Sequence, residues 1–181
     1  MAMKITVNRS TLEIVQGDIT QEETDAIGNA ANSALAGGGG VDGAIHRAGG
    51  PSLMAELRKK YEGCPTGSAV ITTGGKLRAR FVIHAVGPRY SGTFRDAELL
   101  ASAYRKSLEL CSQNKISSVA FPSISTGIYG YPVEEASRIA LKTVRDYLKD
   151  HSGIKRIRFV LFDSSTYRAY EEAMQELDIQ D

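Results

Sequence analysis

Two glycine-rich stretches contain most of the candidate catalytic and ligand-binding residues of this sequence. The first, NAANSALAGGGGVDGAIH, runs from Asn29 to His46 and places four consecutive glycines between Asn32 and Asp42. Glycine loses more backbone freedom on folding than any other residue, so such a run is kept either as a slack linker or because a ligand must approach the main chain closely. The flanking Asn32 and Asp42, in place of Ser or Pro, favour the ligand. Exposed backbone N–H groups beside the start of a helix near Gly43–Arg47 form a cradle for an anion or phosphate.

The second stretch, PSISTGIYGYP, runs from Pro122 to Pro132 and lies between a predicted strand and a predicted helix. Its glycines allow tight backbone curvature. The Ser125 and Thr126 hydroxyls and the amides around Gly127–Tyr129 could donate hydrogen bonds to a diphosphate. Taken alone, this loop is as often a simple strand-to-helix turn. Two glycine-rich loops at one sheet edge favour a ligand that bridges them.

Several other chemistries are not supported by the residues present. Gly38, Gly40 and Gly43 satisfy G-x-G-x-x-G, but AANSALA separates them from the preceding strand, whereas a dinucleotide-binding loop follows its strand directly. No Walker-type phosphate loop occurs. The three histidines and two cysteines lack zinc-ligand spacing, and no serine stands in a G-x-S-x-G elbow. We therefore set aside metal-dependent and nucleophilic chemistry.

Length and charge narrow the class of protein. With 181 residues, the chain is expected to form one domain spanning 1–181. Its formal net charge of +1 argues against nucleic acid or a membrane surface as a partner. The dense basic cluster at 155–158 alternates with apolar residues and is interpreted as a solvated strand end. The widely separated Cys64 and Cys111 make no disulfide framework, and no run reaches membrane-spanning length, so a cytoplasmic location is expected.

Strand and helix patterns alternate along the chain, which predicts an α/β sandwich with a largely parallel sheet. Ligands of such sheets bind in loops beyond the carboxyl ends of the strands. Helical periodicity covers 52–61, 97–111, 133–148 and 167–177, with Pro132 suited to a first helical position and Ser164 or Ser165 to a cap. Compact apolar runs predict strands at 5–7, 12–15, 26–29, 69–72, 81–86, 119–122 and 156–162.

Five motifs, in this order and spacing, resemble the macrodomain family. They are GDIT at 17–20, NAAN at 29–32, GGGGVDGAIH at 37–46, VIHAVGP at 82–88 and SISTGIYGYP at 123–132. The aspartate after the glycines and the two long motifs resemble those of the MacroD-type branch of ADP-ribosyl hydrolases in particular. This resemblance implies a three-layer α/β/α sandwich with a mixed, mostly parallel sheet. It also implies ADP-ribose binding, removal of mono-ADP-ribose from acidic side chains of modified proteins, and deacetylation of O-acetyl-ADP-ribose, without metal or cofactor.

The resemblance assigns a role to each matching residue. Asp18 would accept a hydrogen bond from the adenine amino group, and Phe162 or Tyr167 would stack on the adenine ring. Tyr129 would form one side of the site for the distal ribose. Main-chain amides of both loops would hold the two phosphates. The expected ligand-binding residues are Asp18, Ile19, Asn32, Gly39, Gly40, Val41, Asp42, Ser125, Thr126, Gly127, Ile128, Tyr129 and Phe162.

Asp42 and Asn32 are the expected catalytic residues. Asp42 would act as general base on a water that attacks the ribose ester, while Asn32 would fix the distal ribose hydroxyls. Structural roles remain open for both, because Asp42 could serve as an acid in the first turn of a helix and Asn32 could brace its loop. Asp18 could likewise cap a turn before Thr20. His46 and His84 are expected to be structural.

Two other functions remain open. A macrodomain can read ADP-ribose without cleaving it, although the presence of both Asp42 and Asn32 favours the enzyme. Reuse of the nucleotide cleft for RNA binding or RNase regulation is disfavoured by the near-neutral charge. One position departs from the resemblance: the family usually has Val or Ile where this chain has Gly28, which predicts looser packing near Asn29.

Overall fold

The computed structural model describes residues 2–180, which build one mixed sheet of seven strands in the order β1-β2-β7-β6-β3-β5-β4. The strands β2, β7, β6, β3 and β5 are mutually parallel, whereas β1 and β4 pair antiparallel at the two edges. The strands are β1 (Ala2–Val7), β2 (Ser10–Gln16), β3 (Ala26–Ala30), β4 (Ala69–Thr73), β5 (Phe81–Ala85), β6 (Ser118–Phe121) and β7 (Arg156–Leu161). The expected strands are therefore confirmed.

Helices cover both faces of this sheet, which makes the fold a three-layer α/β/α sandwich. They are α1 (Gly40–Gly49), α2 (Ser52–Lys60), α3 (Phe94–Gln113), α4 (Val133–Asp150) and α5 (Ser164–Gln180), and a 3₁₀ turn spans Ile19–Gln21. The large core lies between the sheet and α3, α4 and α5. Smaller apolar clusters lie beneath α1 and α2 on the opposite face.

Three helix starts differ from expectation. The helix α1 begins at Gly40, which has a φ of 56° that glycine adopts without strain, so the last glycine of the run is its first residue. Pro132 is the N-cap of α4 and precedes its first residue. At α5 the carboxylate of Asp163 accepts from the Thr166 amide at 2.8 Å, so Asp163 caps this helix in place of Ser164 or Ser165.

Gly28 does not loosen its strand, contrary to expectation. A Cβ at this position would lie 2.6 Å from Cδ1 of Phe121 on the neighbouring strand β6. The fully buried Phe121 ring therefore occupies the space that a side chain at position 28 would take, and it packs against Tyr104 and Phe159. The larger residue of one strand compensates for the missing side chain of the other.

The basic residues of β7 are not a simple solvated strand end. Arg156 Nε lies 2.6 Å from Glu13 Oε1, and Arg158 bridges Glu13 at 2.8 Å and Glu22 at 2.6 Å. Burial by itself raises the pKa of Glu13, but hydrogen bonds from both arginines outweigh it, so the pKa is lowered from its ordinary value. This ion-pair network joins β2, β7 and the segment after the 3₁₀ turn.

Because the five central strands are parallel, the segments that follow their carboxyl ends meet along one edge of the sheet. Those segments include residues 31–39, named the first loop, and residues 122–132, named the second loop. They follow β3 and β6, which are neighbours in the sheet. Within residues 2–180, no helix has the length and apolar character needed to cross a membrane.

Candidate functional site

The two loops present a row of main-chain donors to one side of the sheet edge. Within the described chain, the amides of residues 37–42 and of residues 125–129 donate no hydrogen bond to a protein acceptor. The first row leads into the N-terminus of α1, where Gly39 is the N-cap and contributes no side-chain cap. Helix N-termini carry a partial positive charge, so this arrangement is suited to an anion.

The glycines of the site leave open space beside these amides. A Cβ at Gly39 or at Gly127 would meet no atom within 4 Å, and neither residue has a positive φ. The protein's own packing therefore does not require glycine at either position. Close approach of a ligand to the main chain is a physical reason for both.

The hydroxyls of Ser125 and Thr126 do not face the cleft, contrary to the expectation that they could donate to a diphosphate. Ser125 is buried with a φ of 70°, and its Oγ lies against the Cα of Gly87. Thr126 Oγ1 donates to Ser123 Oγ at 2.8 Å. Only the main-chain amides of these two residues remain available to a ligand.

Two buried tyrosines fix the base of the second loop. Tyr104 of α3 accepts from the Ile124 amide at 2.9 Å and donates to the Pro122 carbonyl at 3.2 Å. Tyr170 of α5 donates to Ser123 Oγ at 2.9 Å. Burial raises the pKa of Tyr170 to about 12, so its hydroxyl stays protonated and remains a donor.

Asp42 lies in the first turn of α1, directly behind the first loop, and is 6 % exposed. Its Oδ1 accepts from Asn29 Nδ2 at 2.8 Å and lies 3.3 Å from His46 Nε2. No described residue donates to Oδ2. This oxygen faces Gly38, and a Cβ built on that glycine would lie 3.6 Å from it. The carboxylate thus has one oxygen tied to the protein and one available to a water or ligand.

Asn32 braces the first loop in this structure. Its Nδ2 donates to the Gly37 carbonyl at 2.9 Å, and its Oδ1 accepts from the Ala36 amide at 3.0 Å. Both functional atoms of the side chain are therefore engaged within the loop. The structural role considered for this residue is present, and contact with a ribose requires at least one of these bonds to be exchanged.

A second group of candidate residues lies at the carboxyl ends of β2 and β7. Asp18 caps the 3₁₀ turn, as the structural interpretation expected, with Oδ1 accepting from the Thr20 amide and hydroxyl at 3.0 and 2.7 Å. Phe162 follows β7 and is 81 % exposed, whereas Tyr167 is buried in the core. Of the two aromatic rings, the Phe162 ring is therefore the one exposed to a ligand, whereas the Tyr167 ring is enclosed by the core.

Tyr129 lies at the tip of the second loop, where it is half-buried. The Arg89 guanidinium lies 4.9 Å from its ring centroid, and the Tyr90 amide donates to its carbonyl at 2.9 Å. The neighbouring Ile128 is 94 % exposed. The segment that follows β5 thus supports the second loop from outside.

Comparison with known proteins identifies the family. The Macro domain family model matches residues 28–140, a range that includes both loops and Asp42. The chain belongs to the macro domain family. This macrodomain is 55 % identical over 174 residues to a macro domain-containing protein of Caldanaerobacter subterraneus subsp. tengcongensis, covering 94 % of this chain and 99 % of that protein.

Other relatives carry more specific names. An O-acetyl-ADP-ribose deacetylase of Cronobacter turicensis is 51 % identical over 171 residues, with 92 % of this chain and 97 % of that protein covered. The Oceanobacillus iheyensis macrodomain with ADP superposes with a TM-score of 0.95 at 47 % identity, over 100 % of this chain and 98 % of that one. The Trypanosoma brucei macrodomain in complex with ADP-ribose gives a TM-score of 0.85 at 40 % identity, over 90 % of this chain and 68 % of that one.

The sequence interpretation missed the residues that hold Asp42 in this macrodomain. Asn29 was given no role, and His46 and His84 were expected to be only structural. The spacing of Asp42 and His46, four residues apart on a helix, was a usable signal for contact between them. The contact between Asn29 and His84 depends on strand pairing between β3 and β5, which no local pattern specifies.

Proposed function

We propose that this macrodomain binds ADP-ribose between its first and second loops and hydrolyses esters of the distal ribose. The substrates are O-acetyl-ADP-ribose and proteins that carry mono-ADP-ribose on acidic side chains. One observation carries the proposal: a buried carboxylate with a free oxygen lies directly behind two rows of unpartnered amides. Relatives of this chain that are named O-acetyl-ADP-ribose deacetylases support it.

The amide rows would hold the diphosphate. Residues 39–41 at the start of α1 and residues 125–129 of the second loop would donate to the phosphate oxygens, and the helix dipole would favour the negative charge. No cationic side chain is needed for this. Backbone donors fixed by the fold are preorganised and keep their geometry as the ligand binds.

The adenosine would lie beside the carboxyl ends of β2 and β7. Asp18 Oδ2 accepts no hydrogen bond from the described residues and would accept from the adenine amino group, while the Ile19 amide would contact a ring nitrogen. The exposed Phe162 ring would stack on the base. The distal ribose would then lie toward Asn32, Asp42 and Tyr129.

Asp42 would act as the general base. Oδ2 would orient a water and accept its proton while the water oxygen attacks the ester. The ester C–O bond would break, and the proton held by Asp42 would pass to the departing oxygen. ADP-ribose would be released together with acetate or with the free acidic side chain. General-base catalysis of this kind contributes about 10²–10⁴-fold to a rate. Water is the only co-reactant that this chemistry requires.

Two alternative functions would use the same cleft. A non-catalytic reader of ADP-ribose would need only the amide rows, so the buried carboxylate and its hydrogen bonds favour hydrolysis. RNA binding would call for free cations, yet Arg156 and Arg158 are engaged in ion pairs with Glu13 and Glu22. All segments of the proposed site leave one sheet, which supports a single macrodomain over 1–181.

The proposal is tested by incubating the protein with O-acetyl-ADP-ribose, with a glutamate-linked mono-ADP-ribosylated protein, and with an arginine-linked one as control. Release of ADP-ribose is measured by chromatography, and ADP-ribose binding by calorimetry. We expect turnover of both ester substrates and none of the arginine linkage. Binding of ADP-ribose without product from either ester would identify a reader and contradict hydrolysis.

A further inference from the structure

A buried polar pair lies on the sheet face that α1 covers, on the neighbouring strands β3 and β5. Asn29 of β3 and His84 of β5 stand directly opposite each other in the parallel pairing, and both are fully buried. The other residues of this face, such as Ile27 and Val82, are apolar. Because burying polar groups costs free energy unless they are hydrogen-bonded, the partners of this pair explain how it is tolerated.

The hydrogen bonds form a chain whose direction is fixed at one end. Asn29 Nδ2 lies 2.8 Å from Asp42 Oδ1 and 3.1 Å from His84 Nδ1. The carboxylate can only accept, so the nitrogen of the amide must face it. Nδ2 then offers its second hydrogen to His84, and Nδ1 of that ring must be the unprotonated acceptor.

The other ring nitrogen of His84 completes the chain. Nε2 lies 2.9 Å from Thr72 Oγ1, and that hydroxyl donates to the Thr73 carbonyl at 3.0 Å. The proton of the neutral ring is therefore on Nε2 and is donated to Thr72. Burial lowers the pKa of His84 to about 3, with the nearby His46 adding to the effect, so the ring stays neutral.

This chain controls the orientation of the Asn29 amide. Asn29 Oδ1 is buried and accepts no hydrogen bond from the described residues, so only the two bonds of Nδ2 hold the amide in place. If His84 offered no acceptor, one of those bonds would be lost and the amide could rotate. Asp42 Oδ1 would then lose its Asn29 donor and keep only the contact with His46 Nε2 at 3.3 Å, so Oδ2 would be held less firmly toward the first loop.

We propose that Asn29 and His84 are positioning residues for the Asp42 carboxylate, with His84 acting through Asn29 as a neutral hydrogen-bond acceptor at Nδ1. This inference rests on the proposed hydrolysis. Neither residue touches the ligand cleft in this arrangement. Their effect is on the orientation of the base, and therefore on kcat rather than on binding of ADP-ribose.

The kinetic test compares His84→Leu with His84→Asn. Leucine and asparagine have nearly the same shape, but only asparagine can place a hydrogen-bond acceptor at the position that Nδ1 of His84 occupies. We expect His84→Leu to lower kcat on O-acetyl-ADP-ribose about 10- to 100-fold, as small misplacements of a catalytic group do, with the ADP-ribose Kd within about twofold. His84→Asn should recover most of kcat, and His151→Leu, on an exposed histidine after α4, should change neither value.

A spectroscopic test does not depend on turnover. NMR of the ¹⁵N-labelled imidazoles should show His84 as the neutral Nε2–H tautomer in the wild-type protein and the loss of that pattern in Asn29→Leu. An Nδ1–H or charged ring would overturn the inference, as would equal kcat for His84→Leu and wild type, or equal losses in the leucine and asparagine variants. If the wild-type protein releases no acetate, the proposed function fails, while the tautomer still decides the hydrogen-bond chain.

Discussion

Phe162 lies beside Asp18 at the carboxyl ends of two neighbouring parallel strands. The Gly17 amide, one residue before Asp18, donates a hydrogen bond of 3.0 Å to the carbonyl of Leu161, one residue before Phe162. An exposed aromatic ring and a carboxylate with one unused oxygen are thereby carried on adjacent segments of the chain. In the proposed complex, this pair would provide a stacking surface and a polar acceptor for the purine.

Replacing Phe162 should weaken binding of ADP-ribose without weakening the fold. Stacking of a base on an aromatic ring contributes about 1–3 kcal/mol, so Phe162→Ala should raise the Kd about tenfold or more. The free energy of unfolding should stay unchanged because the ring is already exposed. Phe94→Ala removes an equally exposed ring, 83 % accessible, at the start of α3 and should leave the Kd as it is.

Replacing Asp42 should separate catalysis from binding. Asp42→Ala removes the proposed base, so kcat on O-acetyl-ADP-ribose should fall about 10²-fold or more. The amide rows remain, and calorimetry should therefore show ADP-ribose binding within a few-fold of wild type. Near-normal turnover in this variant would show that Asp42 is not the base.

A side chain at Gly127 should block the second loop. The valine of Gly127→Val would project into the space beside the amides of residues 125–129. Loss of one or two charge-assisted hydrogen bonds, each about 1.5–3 kcal/mol, should raise the ADP-ribose Kd at least tenfold. Gly153→Val is the matched control, since its Cβ also meets nothing within 4 Å but lies after α4. Equal affinities in the two variants would argue against the phosphate role of this loop.

The Glu13 network should make stability depend on pH. The folded protein lowers the pKa of Glu13 below the ordinary value of 4.5, so the unfolded chain takes up the proton first as the pH falls. Stability from these ion pairs is therefore present above pH 4.5 and is lost as the pH falls through the folded pKa.

The matching variant is Glu13→Gln, which should lower the free energy of unfolding at pH 7 by about 1 kcal/mol, since Arg156 is half exposed to solvent. Urea titrations should show this difference closing in acid. Glu98→Gln, at an exposed glutamate of α3, should leave the pH dependence unchanged. A difference between Glu13→Gln and wild type that persists at low pH would contradict the ion-pair explanation.

The elements of this fold could be predicted because each depends on local pattern. Apolar runs located the strands, and helical periodicity located α3 and α4, since burial of one face imposes a period on the sequence. The start of α1 was misplaced, because glycine is a poor helix former and Gly40 gives no local sign of helix.

The residues of the site could be predicted only where they belong to a recognisable sequence motif. Asp42 and the two loops were found from the sequence, and their ligand contacts remain predictions. The partners of Asp42 could not be inferred, because Asn29 and His84 are 55 positions apart and meet only through strand pairing. The same holds for Arg158 and Glu13, which are 145 positions apart: considered alone, the basic cluster that contains Arg158 predicts only a solvated strand end.

The contact between Gly28 and Phe121 also limits how this chain can evolve. A valine at position 28 would collide with the ring, at a cost of about 1–3 kcal/mol, as overpacking of a filled core usually does. Trimming Phe121 first would leave a cavity and is also destabilising. Neither substitution is neutral alone, so the two positions should covary among homologues: branched residues at 28 should accompany smaller ones at 121.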